Sequence, residues 1–325
     1  MNLKKILINL GLYKPSVKYK YQPDKNHIEV LNFWSPDPKN TWQYQFLEQN
    51  FSNLITADNS VLISTVFGPK KAIELSESKV KVFYTGENVS RFPEYKDQCK
   101  GIVDVAIGFD YHDDDQYQRF PLWLEYFFPQ TSTRTSIQKL ISQFVIKDIC
   151  DNTNKQFTSL VSNHDKGNIR KVLFDSLSKI GQVDSGGKFL NNTQSLKDKF
   201  GDDKRQFIGH YKFNICPENS NREGYVTEKL FEAIRCNTIP IYWGSNNNPE
   251  PHVLNKESIL FYNGPESLPT LQKTVEELHN NHKLYTEFLN QEKFKPHAEE
   301  YIAEMFEGLY AKIHKALSRA QQRLY

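Results

Sequence analysis

Residues 211–244, YKFNICPENSNREGYVTEKLFEAIRCNTIPIYWG, combine a strand, a helix and a second strand in close succession. The runs YKFNIC and TIPIYWG are short, apolar and rich in β-branched or aromatic residues, which is typical of buried strands. Thr227 is a predicted N-cap for the helix between them. Leu230, Ala233 and Ile234 give that helix an apolar face at helical spacing. A strand–helix–strand unit of this kind predicts a parallel sheet covered by helices.

The same alternation continues on both sides of this stretch. Upstream, FTSLVSN from Phe157 is a predicted strand and NIRKVLFDSLSKIG a predicted amphipathic helix, so the second half follows a β-α-β-α-β order. Downstream, two long segments are predicted helices, the last with Pro296 at its first helical position. In the first half, four more apolar runs are predicted strands, beginning at Ile28, Ser60, Lys79 and Val103.

Length and composition predict two α/β domains. A chain of 325 residues is longer than one average core organises, and 38% hydrophobic with 13% aromatic residues is enough to form two cores. The polar stretch NTNKQ follows Cys150 and separates the two alternating halves. We therefore predict one doubly wound domain over residues 1–150 and a second over residues 151–325.

Charge and cysteine content narrow the class of protein. The net charge is +2 and no basic tract or basic–aromatic stripe occurs, so nucleic acid is not an expected partner. The four cysteines lie far apart without a CxxC pair, which predicts neither a zinc site nor a disulfide framework. The N-terminal run ILINLGLY is too short to span a membrane. We expect a cytoplasmic protein; peripheral contact with an inner membrane, or a Golgi lumen location for a trimmed eukaryotic domain, stay open.

The helix that begins near Thr227 has a lysine in its first turn. A cation there opposes the helix dipole, so Lys229 is better explained if an anion shares that end of the helix. Free backbone N–H groups with a lysine form a site for a diphosphate, and Glu228 beside it can accept hydrogen bonds from sugar hydroxyls. The ordinary alternative, a favourable first-turn glutamate beside a solvated lysine, is left open by spacing alone.

Other candidate motifs are weaker. GQVDSGGKF, from Gly181, resembles a phosphate-binding loop but lacks its lysine and its magnesium-binding hydroxyl, and no GxGxxG follows a strand. The acidic run Asp113–Asp115 would suit a metal, but an exposed acidic loop is the simpler interpretation, so we expect no metal site.

Glu87 follows the strand KVKVFYTG and is a candidate base, although a turn glutamate has the same pattern. Arg170 is equally compatible with a solvated helix residue.

Seven motifs in order along the chain resemble the α1,3/α1,4-fucosyltransferases, which transfer L-fucose from GDP-fucose to N-acetylglucosamine-containing glycans of the Lewis antigen type. The motifs are YTGEN, IGFD, RFPLW, VDSGGKFLNN, YKFNICPENS, GYVTEKLFEAI and TIPIYWGS. The resemblance is densest from Phe157 to Ser245 and recurs from about Val61 to Tyr126. It implies a GT-B fold, with two Rossmann-like domains facing across a cleft, acceptor mostly on the first and sugar nucleotide on the second.

The resemblance also implies roles for individual residues. Glu87 matches the proposed general base, and Glu228 is the second candidate catalytic residue, near the ribose and fucose. The implied donor-binding residues are Arg170 and Lys229 at the diphosphate, with Asn219, Tyr225 and Glu228 around the nucleotide and sugar. Arg119 and Trp123 of RFPLW are implied on the acceptor side. The segment Asn221, Arg222 and Glu223 is bulkier and more charged than the family pattern, which leaves the local donor contacts open.

The reaction implied is inverting transfer from GDP-β-L-fucose to GlcNAc or glucose of an N-acetyllactosamine- or lacto-N-biose-type acceptor. We expect no tightly bound cofactor and no required metal, while stimulation by Mn²⁺ or Mg²⁺ stays open. Linkage, α1,3 or α1,4, and oligomeric state are not determined by the sequence. Two alternatives remain: a GT-B transferase with another donor or acceptor, and a catalytically silent protein that binds glycan or nucleotide.

Overall fold

The computed structural model describes residues 23–112 and 114–323. Within them, the β-strands are β1 (Ile28–Leu31), β2 (Val61–Ser64), β3 (Val80–Tyr84), β4 (Val105–Gly108), β5 (Tyr117–Arg119), β6 (Gln156–Leu160), β7 (Val183–Ser185), β8 (Tyr211–Ile215), β9 (Ile239–Tyr242) and β10 (Leu260–Phe261). The α-helices are α1 (Trp42–Phe51), α2 (Lys70–Leu75), α3 (Trp123–Phe127), α4 (Arg134–Ser142), α5 (Arg170–Leu177), α6 (Ser195–Asp198), α7 (Lys204–Gly209), α8 (Glu228–Arg235), α9 (Leu268–Asn280), α10 (His282–Leu289) and α11 (Ala298–Gln322).

The strands form two five-stranded sheets. The first has the order β1-β2-β3-β4-β5. Its first three strands are parallel, with Leu31 opposite Ser64 and Ser64 opposite Phe83. The second sheet has the order β10-β9-β8-β6-β7, and all its pairs are parallel. The strand order therefore reverses between β6 and β8, and this reversal is the mark of a doubly wound sheet.

The chain divides into two compact units. One consists of Met1–Ala106 with Ile313–Tyr325, and the other of Ile107–Lys312. The division falls within β4, whereas the predicted boundary at Cys150 lies in the stretch between the last strand of the first sheet and the first strand of the second. The end of α11 belongs to the first unit, where the Asn59 side chain donates to the carbonyl of Leu317.

Predicted and observed elements agree where the apolar pattern is long. Every predicted strand and the helices at α5, α8, α9, α10 and α11 are present. The strands β5, β7 and β10 were not predicted, because two or three residues carry too little pattern. The start of the last helix was predicted wrongly: it begins at Ala298, and His297 before it has a φ of +65°, so Pro296 precedes the helix.

Helix α8 packs on the second sheet as its sequence pattern predicts. Its buried residues are Leu230, Phe231, Ala233 and Ile234. The helix ends at Arg235, and Asn237 beyond it has a φ of +53°, a left-handed conformation that asparagine tolerates and that stops a helix. The N-terminal run ILINLGLY lies outside the described residues. Among those described, no helix is both long and apolar enough to cross a membrane.

Candidate active site

The reversal of strand order in the second sheet places two loops side by side. Strands β6 and β8 are neighbours, but the chain leaves β6 towards β7 on one side and leaves β8 towards β9 on the other. The loops that follow them, residues 161–169 and 216–227, therefore diverge from adjacent carboxyl ends and leave a crevice. In open α/β sheets, ligands bind in this crevice. Five of the six predicted site residues are on these loops or at the start of the helices that follow them.

Arg170 is the first residue of α5 and points inward, with only 2% of its surface exposed. Its Nη2 donates to the carbonyl of Pro217 and to Oδ1 of Asn219, both at 3.0 Å. Its Nη1 lies 4.0 Å from Asp165 and has no hydrogen-bond acceptor among the described residues. Burial lowers the pKa of Arg170, opposed by Asp165 and Glu218. A buried guanidinium with an unused donor is suited to an anionic ligand.

Asp165 holds the start of α5 in place. Its Oδ1 accepts hydrogen bonds from the backbone N–H groups of Ile169 and Arg170, at 3.1 and 3.0 Å. Its Oδ2 accepts from the N–H of Lys171 at 3.0 Å. This carboxylate satisfies three of the amides that a helix N-terminus leaves without partners. The position of Arg170 is therefore fixed by its backbone as well as by its side chain.

Glu218, which the sequence analysis did not single out, connects the loop after β8 with the start of α8. Its side chain is fully buried. It accepts from the N–H and the hydroxyl of Thr227 at 2.8 and 2.7 Å, and its Oε2 lies 3.3 Å from Nζ of Lys229. Gly244 permits this placement, because a Cβ at that residue would lie 2.7 Å from Cγ of Glu218. The buried carboxylate orients the lysine from below.

Thr227 occupies the predicted N-cap position but does not cap the helix with its side chain. Its hydroxyl instead donates to Glu218 and accepts from Nζ of Lys229 at 2.7 Å. That part of the prediction is wrong, because a buried glutamate nine residues earlier competes for the hydroxyl. The Thr227 side chain therefore leaves the first amides of α8 uncapped, and an anion site at a helix N-terminus uses such amides.

Lys229 and Glu228 form the first turn of α8. Nζ of Lys229 lies 3.5 Å from Oε1 of Glu228. Burial alone would lower the pKa of Lys229, but the carboxylates of Glu218 and Glu228 raise it above its ordinary value. Burial alone would raise the pKa of Glu228, but Lys229 and Lys204 lower it. Both groups are therefore charged at neutral pH, as binding of a diphosphate and of sugar hydroxyls would need.

A small cavity is lined by the cations of this region, Arg170, Lys204 and Lys229, together with Glu232 of α8. Lys204 begins α7 and forms an ion pair with Glu232. Burial raises the pKa of Glu232. Lys204 is paired with Glu232, and Lys229 with Glu218 and Glu228, whereas Nη1 of Arg170 has no acceptor among the described residues and can serve a ligand.

The loop between Asn219 and Tyr225 is anchored at several points. Arg222 donates to Oδ1 of Asp110 at 2.7 Å, and the Asn221 side chain accepts from the N–H of Asn246 at 2.6 Å. The ring of Tyr225 is buried and packs edge-on against a phenylalanine of the loop after β4 at 5.1 Å. Asn221 and Arg222 of the segment NRE, in which the sequence departs from the family pattern, thus use their side chains to hold the loop.

Glu87 lies in the first compact unit, three residues beyond the end of β3. Its backbone N–H is bonded to the Thr85 hydroxyl, which in turn donates to the Glu87 carbonyl. Its carboxylate is 32% exposed and lies 3.1 Å from a guanidinium nitrogen of Arg91. A carboxylate that is held at the carboxyl end of a parallel strand, and that solvent reaches, is available as a base.

Arg119 and Trp123, implied on the acceptor side, are both buried in the second unit. Trp123 is fully buried and stacks on Phe231 of α8 at 3.9 Å. The Arg119 guanidinium donates to both carboxylate oxygens of Glu250 at 3.2 and 2.7 Å and lies over the ring of Tyr111. Neither side chain is placed to contact an acceptor, so that expectation is corrected: they stabilise the fold.

The Arg119–Glu250 pair leads to a prediction on stability. Glu250 is fully buried, so replacing it in Glu250→Gln leaves the Arg119 charge without its partner; we expect a loss of about 3–5 kcal/mol, measured by chemical denaturation. The exposed pair Arg134–Glu307 provides the control, because Glu307→Gln should cost at most about 1 kcal/mol. Equal effects of the two substitutions would contradict the assignment of Arg119 to the fold.

The acidic run after Tyr111 does not form a cluster in the described residues. The carbonyls of Asp114 and Asp115 accept from Nζ of Lys312 at 3.4 and 2.9 Å. Asp113 lies outside the described residues. Among the histidines, cysteines and carboxylates that the structure describes, no three come together in a geometry that could hold a metal ion.

Fold and site together define an α/β protein that places buried cations and an uncapped helix start at the switch point of a parallel sheet. Comparison with known families then shows which family the chain belongs to. Residues 150–323 match the model "Glycosyltransferase family 10 (fucosyltransferase) C-term", and residues 28–126 match "Alpha-(1,3)-fucosyltransferase FucT N-terminal domain". The chain belongs to glycosyltransferase family 10, which confirms the resemblance found in the sequence motifs.

Individual relatives agree with this assignment. The chain is 32% identical over 256 residues to alpha-(1,3)-fucosyltransferase FucT of Helicobacter pylori, covering 69% of this chain and 51% of that protein. It is 31% identical over 136 residues to GDP-fucose protein O-fucosyltransferase 3 of Xenopus tropicalis, covering 39% of this chain and 28% of that protein. The chain thus spans about half the length of the first relative and less of the second.

A solved structure shares the architecture. A crystal structure of an alpha1,3-fucosyltransferase with GDP-fucose matches with a TM-score of 0.59 and 26% identity, covering 87% of this chain and 89% of that one. The GT-B fold class, with two parallel-sheet α/β domains, is thereby confirmed. The roles of Glu87, Arg170, Asn219, Tyr225, Glu228 and Lys229 stay predictions.

Glu218 and Asp165, which position the two cations, were not predicted as site residues. Both lie in loops after strands, in PENS and NHDKGN, and both loops contain several turn-forming residues. A carboxylate in a loop at the carboxyl end of a predicted strand was a usable signal for either residue. Nothing in the spacing indicated that Glu218 would be buried.

Proposed function

We propose that this chain is an inverting fucosyltransferase that transfers L-fucose from GDP-β-L-fucose to GlcNAc or glucose of an N-acetyllactosamine- or lacto-N-biose-type glycan, through an α1,3 or α1,4 linkage. The observation that carries the proposal is the convergence of Arg170 and Lys229 on one cavity at the switch point of the second sheet. The match to a structure titled as an alpha1,3-fucosyltransferase with GDP-fucose supports this donor.

In the proposed reaction, a hydroxyl oxygen of the acceptor attacks the anomeric carbon of fucose from the face opposite GDP. Its proton passes to the carboxylate of Glu87, the new C–O bond forms, and the bond between the anomeric carbon and the phosphate oxygen breaks. GDP leaves with that electron pair, so the β-linked donor gives an α-linked product. A positioned general base contributes typically about 10²- to 10⁴-fold to such a step.

The negative charge that develops on the leaving diphosphate is balanced by the chain itself. Arg170 offers its unused Nη1, Lys229 offers a protonated ammonium, and the start of α8 offers uncapped amides. Preorganised groups of this kind stabilise a transition state without reorganising during the step. On this account no metal or tightly bound cofactor is required, and stimulation by Mn²⁺ or Mg²⁺ would act on the free nucleotide.

Glu228 has a positional role in this proposal. Its carboxylate is charged and sits beside Lys229 at the start of α8, so it can accept hydrogen bonds from the hydroxyls of fucose or ribose while the lysine contacts the phosphates. Asn219 and Tyr225 frame the same loop. These contacts would align the anomeric carbon with the attacking oxygen, a contribution that orientation makes to many transfer reactions.

The donor is tested by a panel of nucleotide sugars. Purified protein is incubated with GDP-fucose, GDP-mannose, UDP-glucose and UDP-galactose, each with a mixture of glycan acceptors and a serine/threonine peptide, and nucleotide release is measured with and without EDTA. We expect nucleotide release from GDP-fucose and from none of the other three donors. EDTA should leave the rate of this release unchanged. Release from another donor would support the alternative GT-B transferase, and binding without release would support a silent binding protein.

The peptide is included because one relative is named a protein O-fucosyltransferase. Transfer to the peptide and not to the glycans would keep the donor and refute the proposed acceptor. Proton NMR of the product gives the anomeric configuration, and an α-linked fucose is expected from an inverting step. A β-linked product would contradict the role proposed for Glu87.

A further inference from the structure

Each of the loops after the first three strands has an aromatic or acidic residue three positions beyond the last residue of its strand. Trp34 follows the end of β1 by three residues, Phe67 follows the end of β2 by three, and Glu87 follows the end of β3 by three. These strands are parallel neighbours: Leu31 lies opposite Ser64 and Ser64 opposite Phe83, so β3 ends one residue beyond the ends of β1 and β2. Adjacent strands lie about 4.8 Å apart, so the three residues leave one edge of the sheet side by side.

Two of these residues are large aromatic side chains that solvent reaches. Trp34 is 48% exposed and Phe67 is 45% exposed. Their ring centroids are 5.9 Å apart, and Trp34 also lies 6.2 Å from the ring of Tyr84, the last residue of β3. Phe92, which follows the turn that begins after Glu87, lies 5.7 Å from Phe67. We call Trp34 and Phe67 with Phe92 the aromatic platform.

Hydrogen bonds between the loops hold the backbone around the aromatic platform in place. The carbonyl of Asn32 accepts from the Thr65 hydroxyl and from the N–H of Phe67, and its side chain donates to the Tyr95 hydroxyl at 3.1 Å. The Tyr95 hydroxyl donates to the carbonyl of Gly68 at 2.7 Å. Gly68 is required there, since a Cβ would lie 2.0 Å from Oδ1 of Asn32. Three loops are thus tied to one another through Asn32.

The rings of Trp34 and Phe67 are exposed although burying them would stabilise the fold more, so their exposure needs an explanation. Contiguous exposed aromatic surface marks binding sites, and Glu87, with its partner Arg91, follows the neighbouring strand β3 at the same end of the sheet. The face of an aromatic ring is electronegative and attracts the polarised C–H bonds on the face of a pyranose. A preorganised platform binds such a ring without losing conformational freedom on binding.

We infer that Trp34 and Phe67 form the subsite for a pyranose ring of the acceptor glycan, positioned so that a hydroxyl of that glycan reaches Glu87. The inference rests on the proposed function and names the residues that select the acceptor. Trp34 and Phe67 are specificity-determining residues; the proton transfer stays with Glu87. The platform lies entirely within the first compact unit, so its effect should be separable from nucleotide binding, which uses residues of the second.

The test compares Trp34→Ala and Phe67→Ala with Leu75→Ala. Leu75 is 46% exposed in the same unit but ends the helix that leads into β3, at the opposite edge of the sheet, so it is a matched control. For both aromatic variants we expect the acceptor KM to rise about tenfold, the factor that corresponds to about 1.4 kcal/mol. The KM for GDP-fucose should not change, and Trp34→Phe should recover most of the loss.

Binding is measured independently of turnover by saturation-transfer NMR with N-acetyllactosamine and lacto-N-biose, GDP affinity is measured to show that the second unit is intact, and chemical denaturation is measured to show that the first unit of each variant is folded. Loss of the sugar signal in Trp34→Ala with GDP binding retained supports the inference. An unchanged acceptor KM and NMR signal in Trp34→Ala overturn it while the proposed function stands. A wild-type chain that neither transfers fucose nor binds either sugar overturns the proposed function and the inference together.

Discussion

Glu87→Gln is expected to lower kcat by about 10²- to 10⁴-fold, the range in which a positioned general base contributes. The substitution keeps the size of the side chain and its contact with Arg91 but removes the basic oxygen that accepts the proton of the acceptor. The measurement is the initial rate of fucosyl transfer at saturating GDP-fucose and acceptor. Calorimetry with GDP should give the wild-type affinity, because the cations assigned to GDP lie in the other compact unit.

Glu77→Gln is the matched control for this prediction. Glu77 is exposed in the same unit and precedes β3 by three residues, as Glu87 follows it by three, so it lies at the other end of the same strand. Its substitution should leave the rate unchanged. A loss of GDP affinity or of folded protein in Glu87→Gln, in parallel with the loss of rate, would show that Glu87 is a structural residue.

Lys229→Met is expected to weaken GDP and GDP-fucose by about 10- to 100-fold, as loss of a charged hydrogen bond worth about 1.5–3 kcal/mol predicts. Methionine retains much of the aliphatic stem, so the change removes the ammonium more than the packing. The effect should appear equally for both nucleotides, because both carry the diphosphate. Titration calorimetry measures it directly.

Lys212→Met controls for a general loss of positive charge. Lys212 lies in β8, near the amino end of the strand and away from its carboxyl end, where its Nζ donates to the carbonyl of His279 at 3.0 Å. We expect no change in GDP affinity from it. If Lys229→Met binds GDP with the wild-type affinity, the diphosphate does not bind at Lys229. The role of Lys229 would then be to neutralise the buried carboxylate of Glu218.

Sequence patterns predicted the second sheet because its central strands are long apolar runs. FTSLVSN, YKFNIC and TIPIYWG each appear where the pattern places them. Strand β7, Val183–Ser185, was missed because three residues, one of them charged, carry no recognisable period. Because β7 was not predicted, the reversal of strand order between β6 and β8, which locates the site, was not predicted either. The site was instead found through Lys229, whose position in a first turn is unusual without an anion.

The remaining errors have one physical origin: sequence shows residue type but not burial. Glu218 stands in a loop of turn-forming residues, where an exposed carboxylate is the usual expectation, yet it is fully buried under Lys229. Trp123 and Arg119 stand in a motif of the family and were assigned to the acceptor, yet one stacks on Phe231 and the other pairs with a buried carboxylate. Those contacts bring together segments more than a hundred residues apart, and no local pattern encodes them.

The exposed rings of the first unit could not be predicted either. The predicted strands were the runs IEVLNFW from Ile28 and SVLISTVFG from Ser60, and the structure ends both strands before their aromatic residues Trp34 and Phe67, at Leu31 and Ser64. Both side chains lie three residues beyond the observed strand ends and are exposed. Strand boundaries are the part of an assignment from pattern that is most often wrong, and the aromatic platform lies just past two of them.

The proposed transfer of fucose from GDP-fucose to a glycan can be observed directly. The most direct measurement is mass spectrometry of the wild-type protein incubated with GDP-fucose and a panel of N-acetyllactosamine, lacto-N-biose and lactose, with GDP release followed in the same samples. We expect at least one acceptor to gain the mass of one deoxyhexose, in step with GDP release and without added metal. GDP-fucose that remains intact beside unmodified acceptors, under conditions where the protein is folded, would contradict it.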